Sequence, residues 1–219
     1  MREGSPSVDR HAPAGQLGDP GLRRATAEDI PRLKAVLAEA FYDDPVIGWL
    51  MPDERTRRAR LRRFFGIELR HMALPRGHIW TTSDLSGAAL SMPPGAWRVP
   101  LRATLLEGRA FGVHLGRAAR LGAAMEWHHA RGVREPHCYV RDIGVLPAMQ
   151  GKGLGRALMG PTLEHCDSEG LPAYLEASSE RNAALYERLG FRLTDELRVA
   201  GSPPLRLMLR RPDSREATS

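Results

Sequence analysis

No apolar run in this chain of 219 residues approaches the ~18–20 residues that a membrane-spanning helix needs. The N-terminus carries no hydrophobic core of the kind that directs secretion, which sets the expectation of a cytoplasmic protein. Cysteine is scarce, with only Cys138 and Cys166 present. One falls in an expected strand and the other in an expected helix, so they read as buried, reduced thiols and not as a staple. The adjacent pair His128 and His129 projects in two directions from a helix, so no metal site is expected. Low hydrophobic content is the one absence not found: at 42 % it is ordinary and argues against a wholly disordered chain. What remains is a length that suits one domain with a real core.

A net charge of +6 raises the question of nucleic acid. The densest basic stretch, residues 55–63, runs into Leu61, Phe64, Phe65, Ile67 and Leu69 at helical spacing. It is more simply an amphipathic helix with a solvated basic face. Neither a nucleic acid nor a membrane surface is expected as partner, and the charge suits an anionic cofactor.

Residues 1–21 are rich in Gly, Pro, Ser and charge and read as a disordered tail. Residues 22–210 read as one domain, and residues 211–219 as a frayed end. Strands are expected at 22–26, 78–82, 87–92, 137–146, 173–177, 191–200 and 205–210. A helix capped by Thr26, with Asp29 in a capping box and Pro31 in its first turn, carries Ile30, Leu33, Val36, Leu37, Ala40 and Phe41 on one face. Further helices are expected at 46–51, 54–74, 99–132 in two pieces, 154–168 with a kink at Pro161, and 181–189 ended by Gly190. Strands alternating with helices and closing in a hairpin give an α/β sheet of mixed direction.

The most informative stretch follows the strand at 137–146. Pro147 stops that strand, glycines stand at 151, 153 and 155, and a helical pattern begins at Leu154. Strand, glycine turn and helix together point backbone N–H groups at an anion. Lys152 and Arg156 add charge beside the same site. The spacing is G-x-G-x-G, not the G-x-G-x-x-G of a Rossmann turn, and no Lys-Ser or Lys-Thr follows as a Walker loop requires.

The order V-x-P-x-x-Q-G-K-G-L-G-R over residues 145–156 resembles the acetyl-CoA pyrophosphate loop of the GNAT N-acetyltransferase superfamily. Gln150, Gly153 and Gly155 fill its required places. Asn182, Tyr186, Gly190 and Phe191 form N-x-x-x-Y-x-x-x-G-F, similar to the last motif of the same superfamily, and Asn182 and Tyr186 share a helix face. Taken with L-E-x-S-x-x-R-N before Tyr186, and with Ala38, Ala40, Phe41 and Pro45, the chain resembles the branch containing actinomycete puromycin N-acetyltransferase.

The resemblance implies a single GNAT-fold domain with a mixed, mostly antiparallel sheet flanked by helices. Acetyl-CoA would be co-substrate, with no metal. Ile143, Gly144 and Val145 would offer backbone groups to its pantetheine arm. Gln150, Gly151, Lys152, Gly153, Leu154, Gly155 and Arg156 would surround its phosphates, and Asn182 would contact it. Tyr186 would protonate the departing sulfur. The acceptor expected is the primary amine of a small molecule, of antibiotic or aminonucleoside kind. A protein lysine or N-terminus, and a non-catalytic acyl-CoA-binding module, stay open as alternatives.

From the residues themselves, Glu176 alternates with Leu175 and is the expected base. Asp142, just before the bulge expected in its strand, a water chain or an amine already neutral are the other sources of that step. The resemblance implies that Phe41, Tyr42, Asp43, Asp44 and Trp49 line the acceptor wall, while the residues leave His128 or His129 as a rival base and Cys138 as a rival nucleophile. Either a monomer or a homodimer satisfies the sequence.

Overall fold

The computed structural model describes residues 21–213. The expected tails lie outside the described residues, apart from Gly21 and residues 211–213.

Seven strands make one sheet in the order β1-β2-β3-β4-β5-β7-β6. They are β1 (Leu22–Arg24), β2 (His78–Thr82), β3 (Gly87–Met92), β4 (Cys138–Val145), β5 (Ala173–Ala177), β6 (Arg192–Leu197) and β7 (Leu205–Arg210). Every neighbouring pair is antiparallel except β4 with β5. That parallel pair is short, with only Cys138 opposite Ala173 and Tyr139 opposite Tyr174. Beyond those two rungs the strands separate, and the edges that face each other leave their ladder positions unpaired. On its other side β4 pairs along β3 from Tyr139 to Val145, with a register shift that leaves Arg141 as an extra residue opposite Leu90 and Ser91. Such a bulge re-aims the side chains that follow it.

The helices obey local rules. Thr26 and Asp29 form the expected capping box before α1 (Ile30–Ala40), and Arg23 pairs with Asp29 at 2.8 Å. Asp44 caps α2 (Pro45–Leu50) by accepting from the amides of Val46 and Ile47. Asp53 caps α3 (Glu54–Ile67), which runs on through a π turn at Glu68–Ala73 into α4 (Leu74–Arg76). Then come α5 (Leu101–Phe111), α6 (Leu115–Gly132), α7 (Leu154–Ser168) and α8 (Glu180–Arg188). The strand expected at 22–26 stops at Arg24 because Thr26 serves the cap. The one expected at 191–200 ends at Leu197, where the Ser202 amide turns back to the Val199 carbonyl. Helix α7 is continuous through Pro161, where a kink was expected.

Apolar residues fill both faces of the sheet. Leu33, Leu37, Leu61 and Phe65 pack with Leu90, Tyr139 and Tyr174 on one side. Met159, Cys166, Ala183 and Tyr186 pack with Val140, Leu175 and Phe191 on the other. The basic stretch of α3 is largely committed to the first layer. Arg57 is buried and donates to the Met51 carbonyl at 2.7 Å, Arg58 and Arg62 hold Glu39, and Arg60 reaches the Ala110 carbonyl. No helix among the described residues is long and apolar enough to cross a membrane.

Candidate functional site

Where β4 and β5 part, a cavity of about 760 Å3 opens between the end of β4, the glycine turn, α8 and the turn joining α1 to α2. The turn is built for an anion. Gly151 and Gly153 have φ of +78° and +81°, a conformation that side-chain-bearing residues rarely adopt. A Cβ on either would meet no atom within 4 Å, so the turn fronts open space. Gly153 is also the N-cap of the 15-residue α7, whose first-turn amides are free to receive negative charge. The Gln150 amide donates to the Val145 carbonyl at 3.1 Å and fastens the turn to the strand.

Ile143, Gly144, Val145, Gln150, Gly151, Gly153, Leu154, Gly155, Arg156 and Asn182 all border this cavity, together with Tyr186. Lys152 does not. It is exposed, with its ammonium 3.4 Å from the Met149 sulfur.

Ser179 caps α8 by accepting from the Asn182 amide, which sets the helix so that Asn182 and Tyr186 face the opening. Tyr186 is 6 % exposed, and its hydroxyl has no hydrogen-bond partner among the described residues. Burial, with the nearby charges of Asp142 and Asp44, pushes its phenol well above the ordinary range.

Behind Tyr186 the splay continues as a recess of about 30 Å3, bordered by Asp142, Glu176 and Ser178. That is room for one water-sized group. Asp142 Oδ2 and Glu176 Oε1 are sealed from solvent without a hydrogen-bond partner. Burial raises Glu176 to about 7, opposed by the hydroxyls of Tyr139 and Tyr174. Burial and the charge of Glu68 raise Asp142 to about 7 as well. A group poised near neutrality is suited to accept and release a proton.

The one guanidinium in this cluster is already engaged. Arg141, on the bulge, grips buried Glu68 through two bonds of 2.5 and 2.6 Å. Glu107 lies against the same pair and is raised to about 9, first by burial and then by the Glu68 charge. Asp44 borders the cavity, and besides capping α2 it accepts a short hydrogen bond from Ser178, which borders the recess. Burial raises its carboxyl too. Sequence reasoning missed both the Arg141–Glu68–Glu107 cluster and the bridge from Asp44 to Ser178. The one signal available was an Arg-Asp pair in the middle of an otherwise largely apolar strand.

Other candidates lie elsewhere. Phe41, Asp43 and Asp44 border the cavity, whereas the rings of Tyr42 and Trp49 sit beneath Arg58 and Arg117. His128 lies 3.2 Å from Asp195. His129 is 2 % exposed, stacks on Trp97 and lies 2.7 Å from His137; burial and His137 push it down to about 3. Neither borders the cavity or the recess. Cys138 is buried within the α7 layer, where it packs with Cys166. Among the described residues, no group of three or more His, Cys, Asp or Glu is placed to hold a metal.

The chain is similar in sequence and fold to known proteins. Residues 104–191 match the sequence profile of the Acetyltransferase (GNAT) family. An uncharacterized N-acetyltransferase of Schizosaccharomyces pombe is 31 % identical, over 88 % of this chain and 83 % of its own length. A mycothiol acetyltransferase of Thermomonospora curvata is 30 % identical over 84 % of this chain, which spans 61 % of that relative. A Corynebacterium glutamicum crystal structure, described as histone acetyltransferase HPA2 and related acetyltransferase, superposes with a TM-score of 0.68 at 26 % identity, covering 90 % of this chain and 98 % of that one.

Proposed function

The chain belongs to the GNAT acetyltransferase family, and from that premise we propose that residues 22–210 move an acetyl group from acetyl-CoA directly to the primary amine of a small molecule. The carrying observation is a single cleft with an anion-receiving turn at one end and a buried phenol beside unpartnered carboxylates at the other. The turn fits a pyrophosphate, with left-handed glycines, free helix-start amides, Arg156 at the rim and no side chain in the way. Bound there, acetyl-CoA supplies an acetyl group activated as a thioester.

The rest is the work of this chain. Ile143, Gly144 and Val145, past the last rung to β5, hold the pantetheine arm, and Asn182 adds a polar contact from α8. Backbone N–H groups on that edge polarise the thioester carbonyl. In the recess Glu176, with Asp142 beside it, takes one proton from the arriving ammonium. The amine nitrogen bonds to the acetyl carbon as the carbon–sulfur bond breaks. Tyr186 gives its phenolic proton to sulfur and recovers one from the nitrogen, and Glu176 passes its proton on to solvent, so amide, thiol and one proton are the products. Two unpaired, buried thiols accord with a reducing, cytoplasmic setting.

The likeness of the glycine turn and of α8 to the puromycin-acetyltransferase branch supports a small acceptor, and so does the tight recess. The printed description of the Corynebacterium neighbour names a histone acetyltransferase, which makes a peptide lysine the second acceptor to try. Thiol release from acetyl-CoA across aminonucleosides, aminoglycosides, polyamines and lysine peptides tests the proposal. Release with one small-molecule class is expected. Release with peptides alone would overturn the small-molecule reading, and acetyl-CoA binding without release to any amine would favour a binding module.

A further inference from the structure

The charge on the cavity wall is divided. Arg156, Arg181 and Arg188 border the end formed by the glycine turn and α8, while Glu39, Asp43 and Asp44 border the end formed by the turn between α1 and α2. On a chain of net charge +6, this acidic end runs against the general balance. Glu39 is held by Arg58 and Arg62, and Asp43 lies in the field of Arg58. Asp44 makes no ion pair among the described residues. Its Oδ1 accepts from both α2 amides, while its Oδ2 accepts from the Ser178 hydroxyl alone and keeps a second lone pair.

Deeper in, Asp142 and Glu176 border the recess and each has a sealed, unbonded oxygen, while Ser178 on the same wall donates to Asp44. Arg141 is near enough to ease both charges but bonds neither, because its Nε and Nη2 are both spent on Glu68. A buried carboxylate without a partner is costly and calls for a proton or a counter-ion. Two acids therefore line a recess whose one cation, Arg141, is committed to Glu68, and a third, Asp44, is tied to its wall through Ser178. The recess, at about 30 Å3, admits a group no larger than an ammonium or a water. A branched or ring-borne amine does not enter it.

We propose that this end of the cleft seats a small, linear, doubly charged amine. One unhindered primary amine of that acceptor reaches the recess beside Tyr186, and a second group, still cationic, rests on Asp44. The inference rests on the acetyltransferase reading of the same cleft and names the class of acceptor. Arg181 and Arg188 repel such a molecule from the coenzyme end and so fix its direction of entry. The second cation takes no part in the transfer and supplies affinity alone.

Calorimetry on the full chain, with and without coenzyme A, would compare 1,4-diaminobutane, 4-amino-1-butanol and 4-aminobutanoate. A partly buried, charge-assisted contact predicts that the diamine binds about ten-fold or more tightly than the amino alcohol, with the amino acid weakest. Asp44→Asn keeps a residue able to cap α2, and should bring the diamine down to the level of the alcohol without altering coenzyme A binding. Ser178→Ala keeps the charge and should keep the preference. Equal binding of diamine and alcohol, tighter binding of the amino acid, no diamine binding at all, or a preference that survives Asp44→Asn would overturn the inference. So would a preference lost in Ser178→Ala. Diamine selectivity in a protein that fails to bind coenzyme A would uphold this inference and defeat the acetyltransferase reading instead.

Discussion

A phenol enclosed beside two carboxylates keeps its proton throughout the physiological range, so Tyr186 enters any reaction as a donor. Replacing it by Phe removes one oxygen and leaves the packing against Phe191 in place. Turnover should fall by about 10²–10⁴-fold while coenzyme A affinity stays the same, measured by steady-state kinetics beside calorimetry. Turnover equal to that of the parent would take Tyr186 out of the mechanism. Glu176 behaves oppositely with pH. Its carboxyl is raised to about 7, so the form able to accept a proton appears as pH climbs through neutrality. The account predicts a kcat/KM that rises through about pH 7 and then levels, with Glu176→Gln lowering the plateau. A flat profile from pH 6 to 8 would contradict that role. At this scale Tyr186 and Asn182 were legible because their spacing forms a contiguous motif. The part played by Asp44 was not, since its Ser178 partner lies 134 positions away.

The glycine turn and the bulged strand are the two elements on which the site depends. Gly153 has a left-handed φ and opens on the cavity, so Gly153→Val both strains the turn and occupies the phosphate space. Coenzyme A at ~100 times its dissociation constant should stabilise the parent by about 2.7 kcal/mol, and thermal shift should show that gain missing in the variant. An undiminished shift would contradict the turn's role. On β4, Arg141 neutralises Glu68, which is 0 % exposed. Arg141→Ala leaves that charge without its partner and should cost about 3–5 kcal/mol in urea unfolding. A loss under about 1 kcal/mol would mean that Glu68 takes up a proton or water at little expense. Strand and helix positions were readable from period and caps, and a bulge was expected just after Asp142, where the structure sets it at Arg141 instead. The pairing of Arg141 with Glu68, 73 residues distant, is encoded by no local pattern.

Across the whole molecule, the carboxylates of the core set the response to pH. Glu107 is raised to about 9, and Asp142 and Glu176 to about 7, so the folded chain binds protons that the unfolded chain has released. Stability from these groups is fully present below their ordinary values and is lost as pH climbs toward those raised ones. Below pH 7 the depressed imidazole of His129 works the other way, so the melting temperature should decline from about pH 7 to pH 9, and Glu107→Gln should flatten that fall. An identical slope in the variant would show that Glu107 is not its source. The cofactor half of the cleft was open to sequence reading because one strand, turn and helix build it. The end proposed for the acceptor draws on positions 142, 176 and 178 and, through Ser178, on position 44, which only the folded sheet brings together.

The central claim is direct transfer within this cleft, and isotope tracing tests it most simply. The protein would be incubated with trideuterioacetyl-CoA, first alone and then with the best-binding amine, and both protein and small molecules weighed by mass spectrometry. The account predicts an unlabelled protein in both samples and a trideuterioacetamide on the amine in the second. Label on Cys138 or any other side chain, or bound coenzyme with no labelled amide, would contradict it.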